Sequence, residues 1–205
     1  MKGLLRKDFY MAVRYCRSIL LILVAFLGVS LVNANNLFFN VYPCLLCSMI
    51  PISLISYDER SRWDRYSMTM PYTRSQLVGC KYVLGLMVNA AAVVVSLLTA
   101  VLRTVLITHE AITAGEILSL GAAMLSVSLA APSLCLPWIF KLGAEKGRIA
   151  FYGVIVVIFG GSAAMTASGV EINPNLDTHW LLLGMAALYA ASWALSTAFY
   201  KNKEF

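Results

Sequence analysis

Histidine, cysteine and a few polar side chains within apolar runs are the residues of this sequence that can take part in chemistry. The two histidines, His109 and His179, are too few for a metal site unless neighbouring acidic residues join them. The sequence contains neither His-Glu-x-x-His nor Gly-x-Ser-x-Gly, the motifs of zinc proteases and of many serine hydrolases. These absences argue against a membrane protease or another membrane enzyme.

The sequence also contains no phosphate-binding loop of the kind that binds nucleotides. Gly79 and Gly85, in the stretch GCKYVLG, do not have the spacing of a phosphate-binding loop, Gly-x-x-x-x-Gly-Lys-Ser/Thr. They also enter an apolar helix, whereas the glycines of such a loop follow a strand. We therefore predict no cofactor site in this chain, and any use of ATP and Mg²⁺ requires a second chain that binds them.

The cysteines favour packing over redox chemistry. Cys44 and Cys47, in PCLLC, have Cys-x-x-Cys spacing but lie inside an apolar helix and not at the start of a helix in an α/β unit. All five cysteines fall in apolar runs or on the side of the chain predicted to be cytoplasmic, where thiols stay reduced. We expect no disulfide.

Two polar residues within apolar runs are candidates for a substrate pathway. Arg103 either extends outward toward Glu110 or Glu116, or faces a central cavity and meets substrate. Asn89 is a second cavity candidate, although asparagine also links helices by hydrogen bonds. Ion-coupled carriers usually need carboxylates or histidines inside the membrane, and every Asp and Glu here is predicted outside it. An ion-coupled carrier or channel is therefore an alternative that these residues support less.

The elements that must position these residues are transmembrane helices. The chain is 60% hydrophobic and 13% charged, whereas a soluble domain is about a quarter charged. About 20 helical residues are needed to cross about 30 Å of hydrocarbon. Six apolar runs are close to that length or exceed it: 18–32, 37–56, 82–107, 117–140, 149–169 and 180–200. The sequence therefore predicts an all-α integral membrane protein with six transmembrane helices in a single domain, residues 1–205.

The fourth run contains two prolines, Pro132 and Pro137. Each removes a backbone donor and clashes with the preceding turn, so a kink or a break is expected there. The bend is either static or part of a bundle that changes shape. Neighbouring helices can satisfy the carbonyl groups that the prolines free.

Basic residues predict the orientation of the chain. Except for Arg103, every Lys and Arg lies before the first run, between the second and third, between the fourth and fifth, or after the sixth. The loops on the opposite side hold only acidic charges: Glu110, Glu116, Glu171 and Asp177. Because basic residues are retained in the cytoplasm, both termini are predicted to be cytoplasmic. The same distribution explains the net charge of +6 without a nucleic-acid partner.

Residues 1–17 have the pattern of an amphipathic helix. Apolar residues recur at i, i+4, i+8 and i+11: Leu5, Phe9, Val13 and Cys16. Lys7, Arg14 and Arg17 fall on another face. Such a helix lies in the headgroup region of a membrane, with its basic side chains toward anionic lipid. The alternative is a simple basic flank of the first run.

Residues 57–81 form a charged segment between the second and third runs. Opposite charges four residues apart support a helix at its start: Asp58 with Arg62, and Arg60 with Asp64. The stretch SYDE, residues 56–59, fits a capping box for this helix, unless the second run continues through it. Three large side chains share one face of the helix: Trp63, Tyr66 and Met70. Pro71 ends it.

A second helix of the segment is predicted to begin just after Pro71. TRSQ, residues 73–76, fits a capping box, with Tyr72 and Leu77 placed as its hydrophobic staple. The segment is thus predicted to be a rigid cytoplasmic element whose aromatic and Met face is rimmed by Arg and Asp. Such a face either binds a protein partner or lies on lipid headgroups.

The same segment carries a resemblance to a known family. Together with the N-terminal amphipathic helix and six spans, three stretches resemble the ABC-2 family of transporter permeases: DERSRWDRY (58–66), MPYTR (70–74) and LVGCKYVLG (77–85). In particular the chain resembles short bacterial members that export amphipathic peptides, such as phenol-soluble modulin exporters, and lantibiotic or bacitracin resistance permeases look similar. The resemblance implies an exporter of amphipathic peptides, or of hydrophobic toxins or antibiotics, in a bacterial plasma membrane.

The resemblance also implies partners and site residues. In this family the loop after the second span is a coupling helix that docks on a separate ATPase subunit, which binds ATP and Mg²⁺, and the N-terminal helix is an interfacial elbow helix. By position, the ATPase-coupling residues are Asp58, Glu59, Arg62, Trp63, Asp64, Arg65, Tyr66, Met70 and Arg74. Six spans form half of a translocation pathway. A second copy of the chain or a paralogous permease is therefore implied, with two ATPase subunits.

Overall fold

A computed structural model of the chain describes residues 2–32, 37–67, 69–104, 114–143, 146, 149, 153 and 178–201. Within these ranges the regular structure consists of eight helices: α1 Lys2–Tyr15, α2 Arg17–Val32, α3 Leu37–Ser48, α4 Ile50–Arg60, α5 Trp63–Ser67, α6 Arg74–Arg103, α7 Ala114–Leu142 and α8 Thr178–Lys201. The predicted all-α class is confirmed for this part of the chain.

Several of these helices are long and apolar enough to cross a membrane. Four segments qualify on their own: Val41–Arg60, Arg74–Arg103, Gly115–Lys141 and Trp180–Lys201. The bent pair α1 and α2 raises the number to as many as five among the described residues. A multi-pass membrane protein is thereby confirmed. Six spans stay a prediction, because the fifth apolar run, 149–169, lies almost wholly outside the described residues.

α1 and α2 meet at Cys16 with a bend of 67°. A stripe of residues four apart, which runs along α1 and ends just after it, faces the bundle, and each member is at most 6% exposed: Leu4, Asp8, Ala12 and Cys16. Phe9 and Val13 are 57% and 49% exposed. The predicted apolar face is therefore partly wrong, because Cys16 is buried in protein while Phe9 and Val13 point outward. Periodicity alone cannot separate a lipid-facing stripe from a protein-facing one, since both surroundings are apolar.

The second span consists of α3 and α4, with a break at Met49. Pro51 stands in the first turn of α4, where its missing N–H group is tolerated. α4 then continues to Arg60, and within it the Ser56 hydroxyl donates to the Ile52 carbonyl at 3.4 Å. Of the two alternatives predicted at Ser56, the capping box is therefore absent, and continuation of the second run through that stretch is confirmed.

α4 is followed by a sharp change of direction. Arg62 has a φ of 53°, a left-handed conformation that is uncommon for residues other than glycine. α5 starts directly afterwards and carries Trp63 and Tyr66, whose ring centroids lie 5.4 Å apart. These two aromatic side chains are neighbours, as predicted.

α5 is shorter than predicted and does not include Met70. Beyond its end at Ser67, the Met70 N–H group donates to the Ser67 carbonyl at 3.2 Å in a turn. The Thr69 hydroxyl donates to the Tyr66 carbonyl at 2.8 Å. Such a local side-chain bond competes with the helical hydrogen bonds, so the placement of Met70 on the helical face is wrong.

α6 begins with the predicted capping box. The Gln76 N–H group donates to Thr73 Oγ1 at 3.4 Å, and the Thr73 N–H group donates to Gln76 Oε1 at 3.2 Å. Two of the free donors at the helix start are thus satisfied by the segment itself. From this cap, α6 continues through 30 residues to Arg103.

α6 packs closely against α8. A Cβ atom on Gly79 would stand 3.1 Å from the Trp193 ring, so a larger residue there requires the indole to shift by a few tenths of an ångström. The Tyr82 ring stacks on that indole at a centroid distance of 5.7 Å. The Tyr82 hydroxyl hydrogen-bonds with Ser192 at 2.8 Å and with Ser196 at 2.7 Å. The buried hydroxyl groups of this contact are therefore satisfied, which an apolar surrounding demands.

α7 is continuous from Ala114 to Leu142 although Pro132 and Pro137 lie within it. α7 therefore does not break at these prolines, and the kink that was predicted as the alternative stays a prediction. Pro132 has no N–H group to donate to the Ser128 carbonyl. Asn89 of α6 donates to this carbonyl through Nδ2 at 3.2 Å. A neighbouring helix thus satisfies the freed carbonyl.

Candidate functional site

Four charged side chains meet inside the bundle at the end where α4 stops and α6 starts. We call them the charge ring: Lys7 and Asp8 of α1, Asp58 of α4 and Lys81 of α6. The Lys81 ammonium donates to Asp8 Oδ1 at 2.8 Å and to Asp58 Oδ2 at 2.5 Å. The Lys7 ammonium donates to Asp58 Oδ1 at 2.7 Å and lies 3.4 Å from Asp8 Oδ1.

The charge ring contains two positive and two negative groups and is largely closed to solvent. The exposed fraction of the side chain is 1% for Asp8, 5% for Asp58, 10% for Lys81 and 24% for Lys7. Removing such ions from water is unfavourable by several kcal/mol each, and only good pairing geometry offsets that loss. The charge ring therefore fixes α1 against α4 and α6, whereas removal of one member leaves a buried charge without its partner.

A small cavity of about 40 Å³ lies against the charge ring. The ends of six helices supply its walls, among them Trp63 of α5, Phe140 of α7 and Tyr200 of α8. Gly143, just after α7, has a φ of 87°, and a Cβ atom on it would stand 2.8 Å from Glu59 Oε1. A glycine is therefore required where the end of α7 approaches α4.

The outer side of the same end presents a mixed aromatic and charged surface. We define the α4–α5 surface as Glu59, Arg62, Trp63 and Tyr66. Glu59 and Arg62 are exposed, and Tyr66 is 57% exposed. Trp63 is half-buried, and the Lys7 ammonium lies 3.9 Å from its ring centroid. Trp63 thus joins the α4–α5 surface to the charge ring.

The model of the family described as "ABC-2 family transporter protein" matches residues 3–201, from α1 to the end of α8. The chain belongs to this ABC-2 family. It is accordingly a permease subunit of an ABC transporter, and the family implies an ABC ATPase as partner. No curated protein matches the chain.

Asp58 of this ABC-2 permease lies in the charge ring and not on the α4–α5 surface. It is 4% exposed, and its carboxylate accepts hydrogen bonds from Lys7 and Lys81. The predicted helical pairing of Asp58 with Arg62 is wrong, because α4 ends at Arg60 and Arg62 is left-handed.

The other predicted coupling residues of the permease have different surroundings. Arg74 Nη1 donates to the Lys201 carbonyl at 2.6 Å, so Arg74 caps the last turn of α8. Met70 is half-buried in the turn before α6. Asp64 and Arg65 belong to α5, and their side chains lie outside the part that the structure describes.

Three members of the charge ring were not predicted as site residues: Lys7, Asp8 and Lys81. The signals in the sequence were present but weak. Asp8 is the one acidic residue of α1 and continues the stripe of Leu4 and Ala12, and Lys81 interrupts an apolar stretch between Cys80 and Tyr82. A charge on an apolar stripe indicates a buried partner, because an unpaired buried charge is very unfavourable.

The two pathway candidates of the permease have different outcomes. Asn89 is fully buried, and its bond to the Ser128 carbonyl is the interhelical link that was its alternative role. Arg103 is half-buried at the end of α6, and among the described residues its Nε atom has no hydrogen-bond partner. Glu110 lies outside the described residues. Both predicted roles of Arg103 stay predictions.

The cysteines of the permease have a packing role. All five cysteines are buried and free. Cys44 and Cys47 pack in one apolar cluster with Leu54 and Leu84, and the Cys44 thiol lies 3.6 Å from the Ser96 hydroxyl. Within the described ranges, no group of three His, Cys, Asp or Glu residues is arranged to hold a metal ion.

Proposed function

We propose that this permease exports amphipathic peptides, or hydrophobic toxins or antibiotics, and that a separate ABC ATPase drives it by docking on the α4–α5 surface. The observation that carries the proposal is the position of this surface. Trp63 contacts Lys7 of the charge ring and lines the cavity where the ends of six helices meet. A force applied to Trp63 therefore acts on the point that holds those helices together.

The chemistry of the α4–α5 surface supports docking of a protein. Trp, Tyr and Arg are the residues most enriched at the energetic centres of protein interfaces. The left-handed Arg62 and the short α5 present these side chains in one arrangement, which lowers the entropy lost on binding. Asp64, Arg65 and Met70 extend the proposed contact along the same segment. Asp58 supports it from inside the fold, and the half-buried Arg74 supports it through its hydrogen bond to the end of α8.

We propose further that α1 is an elbow helix in the cytoplasmic headgroup layer. Its exposed residues combine apolar and basic side chains on adjoining positions: Arg6, Phe9, Tyr10, Val13 and Arg14. This composition suits the boundary between anionic headgroups and acyl chains, and the 67° bend lets α2 cross the membrane while α1 lies along it. With basic loops retained in the cytoplasm, the proposed orientation has both termini in the cytoplasm of a bacterium and residues 149–169 as a further span.

The proposed assembly contains two permease subunits and two ATPase subunits. The second permease is another copy of this chain or a paralogue, and ATP and Mg²⁺ bind in the ATPase. Each permease is a single transmembrane domain, residues 1–205, and supplies half of the pathway. Arg103, at the far end of α6 from the α4–α5 surface, is the residue that we assign to the outer part of this pathway.

The docking proposal is tested by co-purification from native membranes. Mass spectrometry of the tagged full-length chain must identify an ATPase with a phosphate loop, whose affinity and ATP hydrolysis are then measured in nanodiscs. Arg62→Glu combined with Tyr66→Ala is expected to weaken ATPase binding about 30-fold or more, the effect of losing about 2 kcal/mol at an interface centre.

The matched control is Trp180→Ala, which removes a side chain that is 71% exposed at the opposite end of α8. It is expected to leave ATPase binding unchanged. Equal binding by the control and the double variant contradicts docking on the α4–α5 surface. Stimulation of ATP hydrolysis by amphipathic peptides in the same nanodiscs tests the substrate class.

A further inference from the structure

The two lysines of the charge ring are bound in different ways. Lys81 is 10% exposed and donates to both carboxylates. Lys7 is 24% exposed and donates to Asp58, while its 3.4 Å approach to Asp8 is an ionic contact without a hydrogen bond. Lys7 is therefore the member that can move while Lys81 keeps the two carboxylates together.

Asp8 holds an acceptor that Lys7 does not use in this structure. Asp8 Oδ2 is buried, and no N–H or O–H donor reaches it from the described residues. The Cys80 thiol also interacts with the Asp8 carboxylate, but a thiol is a weak hydrogen-bond donor. A buried carboxylate oxygen without a donor is unfavourable. A short movement of the Lys7 ammonium toward Asp8 supplies that donor and removes one from Asp58 Oδ1. The charge ring thus offers Lys7 two positions, one on α4 and one on its own helix.

Trp63 lies where it can bias the choice between these positions. Its ring centroid is 3.9 Å from the Lys7 ammonium, within the range of a cation–π attraction. This attraction is comparable in strength to the difference between two hydrogen bonds to a charged group. Because Trp63 belongs to the α4–α5 surface, a docked partner acts on it directly.

We propose that Lys7 is a positioning residue that transmits ATPase docking to α1 by transferring from Asp58 to Asp8. When docking draws Trp63 away, the ammonium moves to Asp8 Oδ2, and the direct link between α1 and α4 is lost. Lys81 still joins both carboxylates and acts as the pivot on which α1 turns. This inference rests on the proposed docking at the α4–α5 surface.

The experiment uses the full-length permease in nanodiscs, alone and in complex with its co-purified ATPase. Lys7→Met keeps the length of the side chain and removes its charge, Lys7→Arg restores a charge, and Arg6→Met is the control on the same helix. Spin labels at Tyr10→Cys on α1 and Met87→Cys on α6, both exposed, report the distance between the two helices. Binding of the ATPase, its stimulated ATP hydrolysis and the change in this distance on binding of the ATPase are measured for each protein.

We expect the affinity of Lys7→Met for the ATPase to lie within about twofold of that of the unaltered chain. The variant should lose the distance change, and its stimulated rate of ATP hydrolysis should fall about tenfold, a difference of about 1.4 kcal/mol. Lys7→Arg restores most of both signals, and Arg6→Met changes neither. If Lys7→Met fails to insert, Asp8→Asn replaces it, because it removes the charge that attracts Lys7 to the second position and is expected to give the same loss.

The inference is overturned if Lys7→Met keeps the stimulation of ATP hydrolysis or the distance change of the unaltered chain. The same holds for Asp8→Asn where that variant replaces Lys7→Met. A merely structural role predicts that these two signals are kept even if thermal stability falls. Loss of ATPase binding in Lys7→Met also overturns it, since Lys7 then belongs to the docking contact. Failure of the unaltered chain to bind an ATPase is a separate outcome, which refutes the proposed function and this inference with it.

Discussion

Replacement of Lys81 by methionine tests whether the charge ring stabilises the fold through charge balance. The substitution removes the donor at 2.8 Å from Asp8 and the donor at 2.5 Å from Asp58, and leaves two buried carboxylates with Lys7 alone. Removing one partner of a buried ion pair destabilises proteins by about 3–5 kcal/mol. We expect about 3 kcal/mol, because Lys7 is 24% exposed and can move to share its charge.

The assay is thermal unfolding of the purified permease in detergent, followed by tryptophan fluorescence at a fixed heating rate, because membrane proteins often unfold irreversibly. For a chain of this size, about 3 kcal/mol corresponds to an apparent Tm lower by about 6–12 °C. Arg14→Met, an exposed basic residue on α1, is the matched control and should shift the Tm by no more than about 2 °C.

The double variant Lys81→Met with Asp8→Leu separates charge balance from packing. It leaves the bonded pair Lys7 and Asp58 with no excess charge, and replacement of a buried ion pair by apolar residues is often close to neutral. The double variant should therefore regain more than half of the lost stability. The reasoning is refuted if Lys81→Met unfolds within about 2 °C of the unaltered chain, or if adding Asp8→Leu lowers the Tm further.

Two further predictions concern helix contacts. Gly85→Ala places a Cβ atom 2.9 Å from Pro51 Cγ and 3.5 Å from the Tyr189 hydroxyl, so overpacking should lower the free energy of unfolding by about 1–3 kcal/mol. In the control Gly184→Ala the new Cβ atom meets nothing within 4 Å, so the Tm should not fall. Asn89→Leu should remove about 1–3 kcal/mol by leaving the Ser128 carbonyl without a donor, and Pro132→Ala should suppress much of that loss because Ala supplies the missing N–H. This account is contradicted if Asn89→Leu lowers the free energy of unfolding equally in the unaltered chain and in the Pro132→Ala variant.

Local signals in the sequence predicted part of the local structure. The capping box of Thr73 and Gln76 depends on residues three positions apart, and it forms as predicted. The apolar runs that became α6, α7 and α8 were found because length and composition define a candidate span. The aromatic pair Trp63 and Tyr66 was also placed correctly within α5.

The features that the sequence did not predict depend on contacts between distant residues. Lys81 meets Asp8 across 73 positions and Asp58 across 23, and no spacing rule connects residues at such separations. Lys7 and Lys81 were counted as topology signals, because a basic residue beside an apolar run serves that role by default. Asp58 was paired with Arg62 on the assumption that the helix continued, which the end of α4 at Arg60 prevents.

The length of α6 determines how deep the charge ring lies. Thirty helical residues extend about 45 Å, which matches the whole bilayer with its headgroups and exceeds the hydrocarbon core by about 15 Å. If α6 is centred, about 7 Å projects at each end, and Lys81, about 10 Å from the helix start, lies close to the edge of the hydrocarbon. The four charges can therefore be brought together at that edge during membrane insertion, without any of them crossing the core.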